Sequence, residues 1–248
     1  RGDRTITVDE AGQMSSGDEV FVLCDDYGDR IEYAARNWRS RHYLLKQHLQ
    51  VRSVDGNQIE LDGALRHDFA GASPRVYRWQ PLRGFGIEHL SFEDKNSIPD
   101  SEASNTFRTV RIDGSIDSWV WNVHFRNSTS IPLSIQRSRF ATVSECLFNR
   151  AQHLGGGGNG YLPELYQTDD SLVEYCTAID GRHALICNWT CWGNVFRYNR
   201  LIGTPNTETH GEYNVENLYL RNDARGSRME IGGGGNTVHG HDGPHNEL

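Results

Sequence analysis

The chain has 248 residues, 26 of them glycine, and a formal charge of −8 from 25 Lys and Arg against 33 Asp and Glu. That balance argues against nucleic acid, which needs a dominant basic face, and no apolar run is long enough to span a membrane. Abundant glycine and one aromatic residue in ten suit many short strands joined by tight turns rather than a disordered chain.

The first 80 residues read as short strands. The stretch 4–10, RTITVDE, alternates with period two. A turn then leads into the apolar stretch 17–23. The segment 43–54 turns at Asp55-Gly56, a dipeptide that favours a hairpin because both residues tolerate positive φ, into QIELDGAL at 58–65. RVYRW at 75–79 is a further strand, and the set reads as antiparallel. Part of 33–49, YAARNWRSRHYLLKQHL, also carries a helical pattern. The five cysteines are odd in number and show no zinc spacing, so they are expected to be mostly buried free thiols.

From Pro81 a phrase recurs: FGIEHLSFED (85–94), SWVWNVHFRN (118–127), FATVSECLFN (140–149), SLVEYCTAID (171–180), GNVFRYNRL (193–201), EYNVENLYLRN (212–222) and GNTVHGHD (235–242). Each is a short alternating strand, most of them closing on Asn or Asp. A repeat of 20 to 30 residues built on strands implies stacked coils, since one coil cannot bury its apolar side chains alone. The expected core line is Phe92, Phe125 and Leu147 or Phe148, with Cys146 and Cys176 at equivalent positions. The closing asparagines, paired as Asn127 with Asn149 and Asn199 with Asn222, are expected to bond to turn backbone and to their counterparts in the next coil. The division expected is 1–80, an N-terminal strand with a small β-rich subdomain, and 81–248, the coils. An antiparallel sandwich is the rival fold.

These phrases, with RTITVDEAGQMSSGDEVFVL, VRSVDGNQIELDGALRHDF and PLRGFGIEHLSFED, resemble the pectate-lyase-like right-handed parallel β-helix superfamily, in its bacterial and phage carbohydrate-active members. The resemblance implies an all-β, right-handed parallel β-helix with a small N-terminal β-rich insertion. It also implies a place outside the cell, secreted, on a surface or on a phage particle. It does not select a reaction, because the superfamily holds lyases, glycoside hydrolases, epimerases and non-catalytic fibres.

The richest chemistry follows the fourth coil strand, where Asp180, Arg182 and His183 stand together. Later coils add His210 and Glu230 as helpers, together with Glu208 and Glu212, and neighbouring coils lie about 4.8 Å apart, close enough to assemble one site. A polysaccharide lyase needs a base for the C5 proton of a uronic acid and positive charge for its carboxylate. His183 or His210 suits the first task, and Arg182 or Arg228 the second. Tyr161, Tyr166, Trp189 and Trp192 offer aromatic surface for sugar rings, with Arg228 beside them. The alternatives are a glycoside hydrolase using two carboxylates and a non-catalytic glycan-binding module or fibre. In the superfamily Ca²⁺ is often held by acidic residues, and the resemblance implies Asp169, Asp170 and Glu174 as its ligands.

Other features have plainer readings. His239, His241, Asp242 and His245 could hold a transition metal, although glycine-rich turns carry such residues without one. The runs 154–160 and 231–236 lack the Lys-Ser/Thr of a phosphate loop and read as coil corners or low groove walls. The arginines 182, 197, 200, 221, 225 and 228 could gather on one face. Trp119 and Trp121 share a strand face, in a groove or at a contact between subunits. The expected partner is a polysaccharide or oligosaccharide. A homotrimer, or further coils or a domain beyond the uncapped end HDGPHNEL, is also expected.

Overall fold

The computed structural model describes residues 1–24, 45–69, 74–95, 107–211, 213–231, 243 and 245–248. It forms two compact units, Arg1–Pro81 and Leu82–Leu248. The described residues contain strands and turns, with no helix among them.

The first unit is antiparallel, as expected. Its strands are β1 (Thr5–Thr7), β2 (Glu19–Cys24), β3 (Leu45–Asp55), β4 (Gln58–Leu61) and β5 (Arg75–Trp79), in the order β1-β4-β3-β2-β5. The hairpin of β3 and β4 closes Asp55 on Gln58, so its central residues are Gly56 and Asn57, one step beyond the expected dipeptide. Gly56 supplies the positive φ of 56° that such a turn demands. Leu45 to Leu49, within the segment that carried a helical pattern, lie in β3, and residues 33–44 fall outside the described set.

The second unit is a parallel β-helix with three faces. The first carries Gly86–Glu88, Trp119–Trp121, Thr142–Ser144, Leu172–Glu174, Val195–Arg197 and Leu218–Leu220. The second carries Ser91–Glu93, His124–Ser128, Leu147–Ala151, Thr177–Ile179 and Arg200–Ile202. The third carries Arg108–Asp113, Ile131–Gln136, Tyr161–Tyr166, His183–Asn188 and Thr207–His210. Every pairing within these faces is parallel, which removes the sandwich alternative.

Alternation explains what the stack buries. The first face turns inward Val120, Val143, Val173, Phe196 and Tyr219 in register. On the second face Phe92, Phe125 and Phe148 stack with centroids 5.4 and 5.2 Å apart, and Leu147 points away from them. Phe148 therefore takes the core position. All five cysteines are buried.

Amides at the corners complete the backbone pairing. Cys146 N donates to Cys176 Sγ, Cys176 N to Asn199 Oδ1, and Asn199 N and Nδ2 both to Asn222 Oδ1. Asn199 and Asn222 thus form the ladder expected of them. Asn127 and Asn149 do not, because Asn149 pairs with Arg126 and the two asparagines are one step out of line. A second ladder runs through Ser171, Asn194, Asn217 and Asn246. Buried backbone donors at corners would otherwise lack partners.

Gly86 lies under Trp119, its partner in register, and an added Cβ would collide with the indole. Trp119 Nε1 also donates to Glu88 at 2.5 Å. Gly86→Ala is expected to push the ring away and cost about 1–3 kcal/mol, read as a fall in the denaturant midpoint. An unchanged midpoint would contradict this packing.

Candidate functional site

The third face has buried side chains on its outer side as well as its inner side. Ala184, Leu165 and Ile135 face the core, while Ser134, Glu164, Asn188 and Tyr161 are enclosed on the outside. Outer rows follow the register. Tyr161, His183 and Asn206 form one row, continued by a bridge from Asn206 to Arg228. Gln136, Tyr166, Asn188 and His210 form another.

Local backbone geometry sets the active-looking part. The Gly160 carbonyl accepts from the amides of both Arg182 and His183. Gly160 has φ +73°, and an added Cβ would lie 2.9 Å from Arg182 Cβ. Leu185, at φ 53°, occupies an irregularity between Ala184 and Cys187, where the pairing with the next coil slips by one residue. Glu208 consequently lies between two histidines. Its Oε2 is 3.3 Å from His183 Nε2 and its Oε1 is 3.1 Å from His210 Nδ1. The side chains of His183 and His210 are each 14 % exposed and that of Glu208 9 %, yet the facing atoms His183 Nε2, Glu208 Oε2 and His210 Nδ1 are buried, so only the outer edges of the group reach the rim.

Hydrogen bonds extend the cluster. His183 Nδ1 lies 2.6 Å from Asn206 Oδ1, and Asn206 Nδ2 donates to Glu230 Oε2 at 2.8 Å. Arg228 pairs with Glu230 at 3.5 Å. Tyr161 packs against both imidazoles, with centroids 5.6 and 5.8 Å away, and Trp189 meets His210 edge-on. Gly211 leaves room for that indole, because an added Cβ would lie 2.5 Å from it.

Burial sets the proton balance first. It pulls the His183 pKa below 6.5, with Arg182 and His210 acting in the same sense against Glu208 and Asn206. Burial pushes Glu208 upward, yet the hydrogen bond and charge of His210, with the charges of His183 and Arg182, outweigh it and leave the carboxyl below 4.5. Burial, then the charge of Glu208, raises the Tyr161 phenol and keeps it protonated. Burial, then Glu164, does the same for Tyr166. The site thus holds an imidazole with little tendency to charge, beside a carboxylate that stays ionised.

A pH dependence of stability follows. A histidine whose folded pKa lies below its unfolded one loses native stability as pH falls below about 6.5. A carboxyl with a depressed folded pKa keeps its contribution above about 4.5 and loses it below. Thermal midpoints are therefore expected to fall in two acid steps. His183→Gln should remove the upper step and Glu208→Gln the lower, and a midpoint flat from neutrality down to pH 4 would contradict both assignments.

A second carboxylate, Glu164, is 1 % exposed. It accepts from Ser134 Oγ at 2.5 Å, Arg108 Nη2 at 3.2 Å and Asn188 Nδ2 at 2.7 Å. Its oxygens are committed to these donors.

Of the residues singled out by sequence, His183, His210 and Glu230 join one network, with Arg182, Arg228, Tyr161 and Trp189 around it. Asp180 does not. It is exposed at a left-handed corner with φ 53°, its carboxylate held over Gly203. Trp192 is fully buried and donates its indole N–H to the Tyr213 carbonyl, a position inside the stack instead of on a groove. Tyr166 lies in the same outer row as His210, two coils before it. Sequence reasoning passed over Asn206 and Glu164. It named Glu208 without placing it at the centre.

The acidic trio does not fit a Ca²⁺ site. Asp169 is fully buried and accepts from the Trp192 amide, Asp170 pairs with Arg139 at 2.9 Å, and Glu174 pairs with Arg197 at 2.7 Å. No three His, Cys, Asp or Glu among the described residues converge as metal ligands. His239, His241 and Asp242, and residues 232–236 of the second glycine run, lie outside the described residues, and His245 is exposed. The arginines do not gather: Arg197 is on the first face, Arg200 on the second, and Arg228 beside the third. Trp121 is 39 % exposed and meets His89 edge-on.

No family model matches the chain, and no curated protein matches it. Among solved structures it is similar to the tailspike protein gp49 from Pseudomonas phage LKA1, at 14 % identity over 89 % of this chain and 39 % of that one, with a TM-score of 0.61. It is also similar to the Gp54 tailspike of Acinetobacter baumannii bacteriophage AP22 in complex with A. baumannii capsular saccharide (14 % identity, 88 % and 43 % coverage, TM-score 0.47). The tailspike gp61 of Pseudomonas phage phi297 matches at 14 % identity, 96 % and 46 % coverage and a TM-score of 0.46. The chain spans about two fifths of the length of the first of these. The likeness establishes the parallel β-helix fold.

Proposed function

We propose that the chain acts on a polysaccharide, cleaving a uronic-acid-containing glycan by β-elimination at the rim of the third face. The observation that carries this reading is His183, held neutral by burial and placed between Asn206 and the ionised Glu208. A neutral imidazole can take a proton, and an adjacent carboxylate stabilises the imidazolium that results.

In the reaction proposed, His183 Nε2, buried beside Glu208 in the free chain, is uncovered as the polymer binds and takes the proton from C5 of the uronic acid. The C5 electron pair forms the C4=C5 double bond, the C4–O4 bond breaks, and the departing O4 takes a proton from solvent at the open edge. Arg228, 77 % exposed, is the cation that reaches the sugar carboxylate, and Arg182 adds positive charge beside Tyr161 and His183. A hydrolase reading has less support, because the general acid must carry a proton and Glu208 is held ionised. Likeness in fold to a phage tailspike supports a place on a phage particle or surface.

The test is incubation with neutral and uronic-acid polysaccharides, with and without Ca²⁺. Products carrying the ultraviolet absorbance of an unsaturated uronate are expected without added metal. Products one water heavier would replace the lyase by a hydrolase. Saturable binding with no product would make the chain a glycan-binding module.

A further inference from the structure

We propose that Glu230 decides which nitrogen of His183 carries the proton, acting through Asn206. The proposal deepens the lyase reading and rests on it only for the word base, since the tautomer can be read without substrate.

The argument is one of donors and acceptors. Glu230 lies beside Arg228, and an ionised carboxylate can only accept hydrogen bonds. The atom of Asn206 that faces it at 2.8 Å must then be the amide nitrogen. The planar amide places its carbonyl oxygen on the other side, 2.6 Å from His183 Nδ1. A carbonyl oxygen also only accepts, so Nδ1 must carry hydrogen. The neutral ring therefore leaves its lone pair on Nε2, which makes no hydrogen bond to Glu208 although Oε2 lies 3.3 Å away, so the Glu208 contact does not set the proton. With the amide turned over, Nδ1 would face an NH2 group, and the lone pair would lie on the wrong side of the ring for the proton transfer.

The backbone fixes Glu230 for this task. Glu230 N donates to Thr207 Oγ1 at 2.8 Å, and that hydroxyl donates back to the Glu230 carbonyl at 3.1 Å. The amide of Thr207 donates to the Arg228 carbonyl, and the amide of Arg228 to the Pro205 carbonyl, so the two coils hold one register across the relay. Asn206 is 6 % exposed, which shields its amide from competing water. Glu230 thus acts as a positioning residue, since it reaches the ring only through Asn206. The charged and titratable groups facing the ring are Glu208 and His210 from the next coil, Arg182 from its own, and Tyr161 from the coil before.

The experiment is nitrogen NMR of the imidazole in the native chain and in two variants, with turnover measured beside it. The native protein is expected to show His183 as the Nδ1–H form at neutral pH. Glu230→Gln offers either a donor or an acceptor to Asn206, so the amide can turn over. A mixture of the two tautomers is expected, with kcat lower by about two- to ten-fold in proportion to the competent fraction and KM little changed. Asn206→Asp keeps an acceptor at Nδ1 and adds negative charge, so the Nδ1–H form should persist while the His183 pKa rises. An Nε2–H form in the native protein would overturn the proposal, as would a Glu230→Gln tautomer ratio equal to the native one. A fixed Nδ1–H form with no turnover of any uronate would sink the lyase reading and leave the relay standing.

Discussion

His183→Gln is expected to lower the turnover of a uronate polymer by about 10²–10⁴-fold, the range associated with a lost general base. Glutamine is close in length, and its amide can still bond to Asn206, so the coil register should survive. What disappears is the nitrogen that takes the proton. The loss should therefore fall on kcat, with KM changed little, because polymer binding draws on other contacts such as Arg228. A control at Trp121, on the first face and outside the cluster, should leave kcat near the native value. Turnover of His183→Gln within a few-fold of native would move the base to another residue, and His210, on the far side of Glu208, would be examined next.

Much of this site was legible because a solenoid converts spacing into proximity. Asn206 lies 23 residues after His183, and Glu230 lies 24 after Asn206, so residues one repeat apart become neighbours across a gap of about 4.8 Å. The same periodicity revealed Phe92 and Phe125 with Leu147 or Phe148 beside them, and the pairing of Asn199 with Asn222, whereas the step that joins Cys176 to Asn199 emerged only in the structure. Where spacing failed, the backbone supplies the reason. Asp180 is only three residues from His183, but its left-handed corner and Gly181 turn it away from the third face. Glu208 gained its central place from the one-residue slip at Leu185, and no alternation of polar and apolar residues announces a slip of that kind. Trp192 reads as a groove aromatic from residue type alone, but its bridges run to Asp169 and Val215 at a corner, where the indole is buried. Asn194 and Asn217 were discernible from their spacing of 23, but attention to asparagines that close a strand passed over those that open one.

The largest effect on stability is expected at Phe125→Ala. Phe125 is fully buried and lies between Phe92 at 5.4 Å and Phe148 at 5.2 Å, with ring planes inclined by 15° and 13°. Truncation removes about 3–5 kcal/mol of burial and contact. A solenoid makes the loss worse in kind, because each coil is held mainly by the coils on either side. An empty Phe125 position weakens both interfaces at once, whereas a terminal coil would lose one. Neighbours cannot easily close the gap, since Phe92 and Phe148 are each fixed by their own strand register with His124–Ser128. The matched control is Tyr175→Ala: Tyr175 also stacks on an aromatic partner, Tyr198, at 5.2 Å, but it is 54 % exposed. That substitution should cost about 0.5 kcal/mol or less, as surface changes do. Both are read as shifts of the denaturant midpoint at unchanged slope. Equal shifts would mean that the stacked rings stabilise the helix by ring contact alone, whereas a shift confined to Phe125→Ala assigns the stability to the buried column.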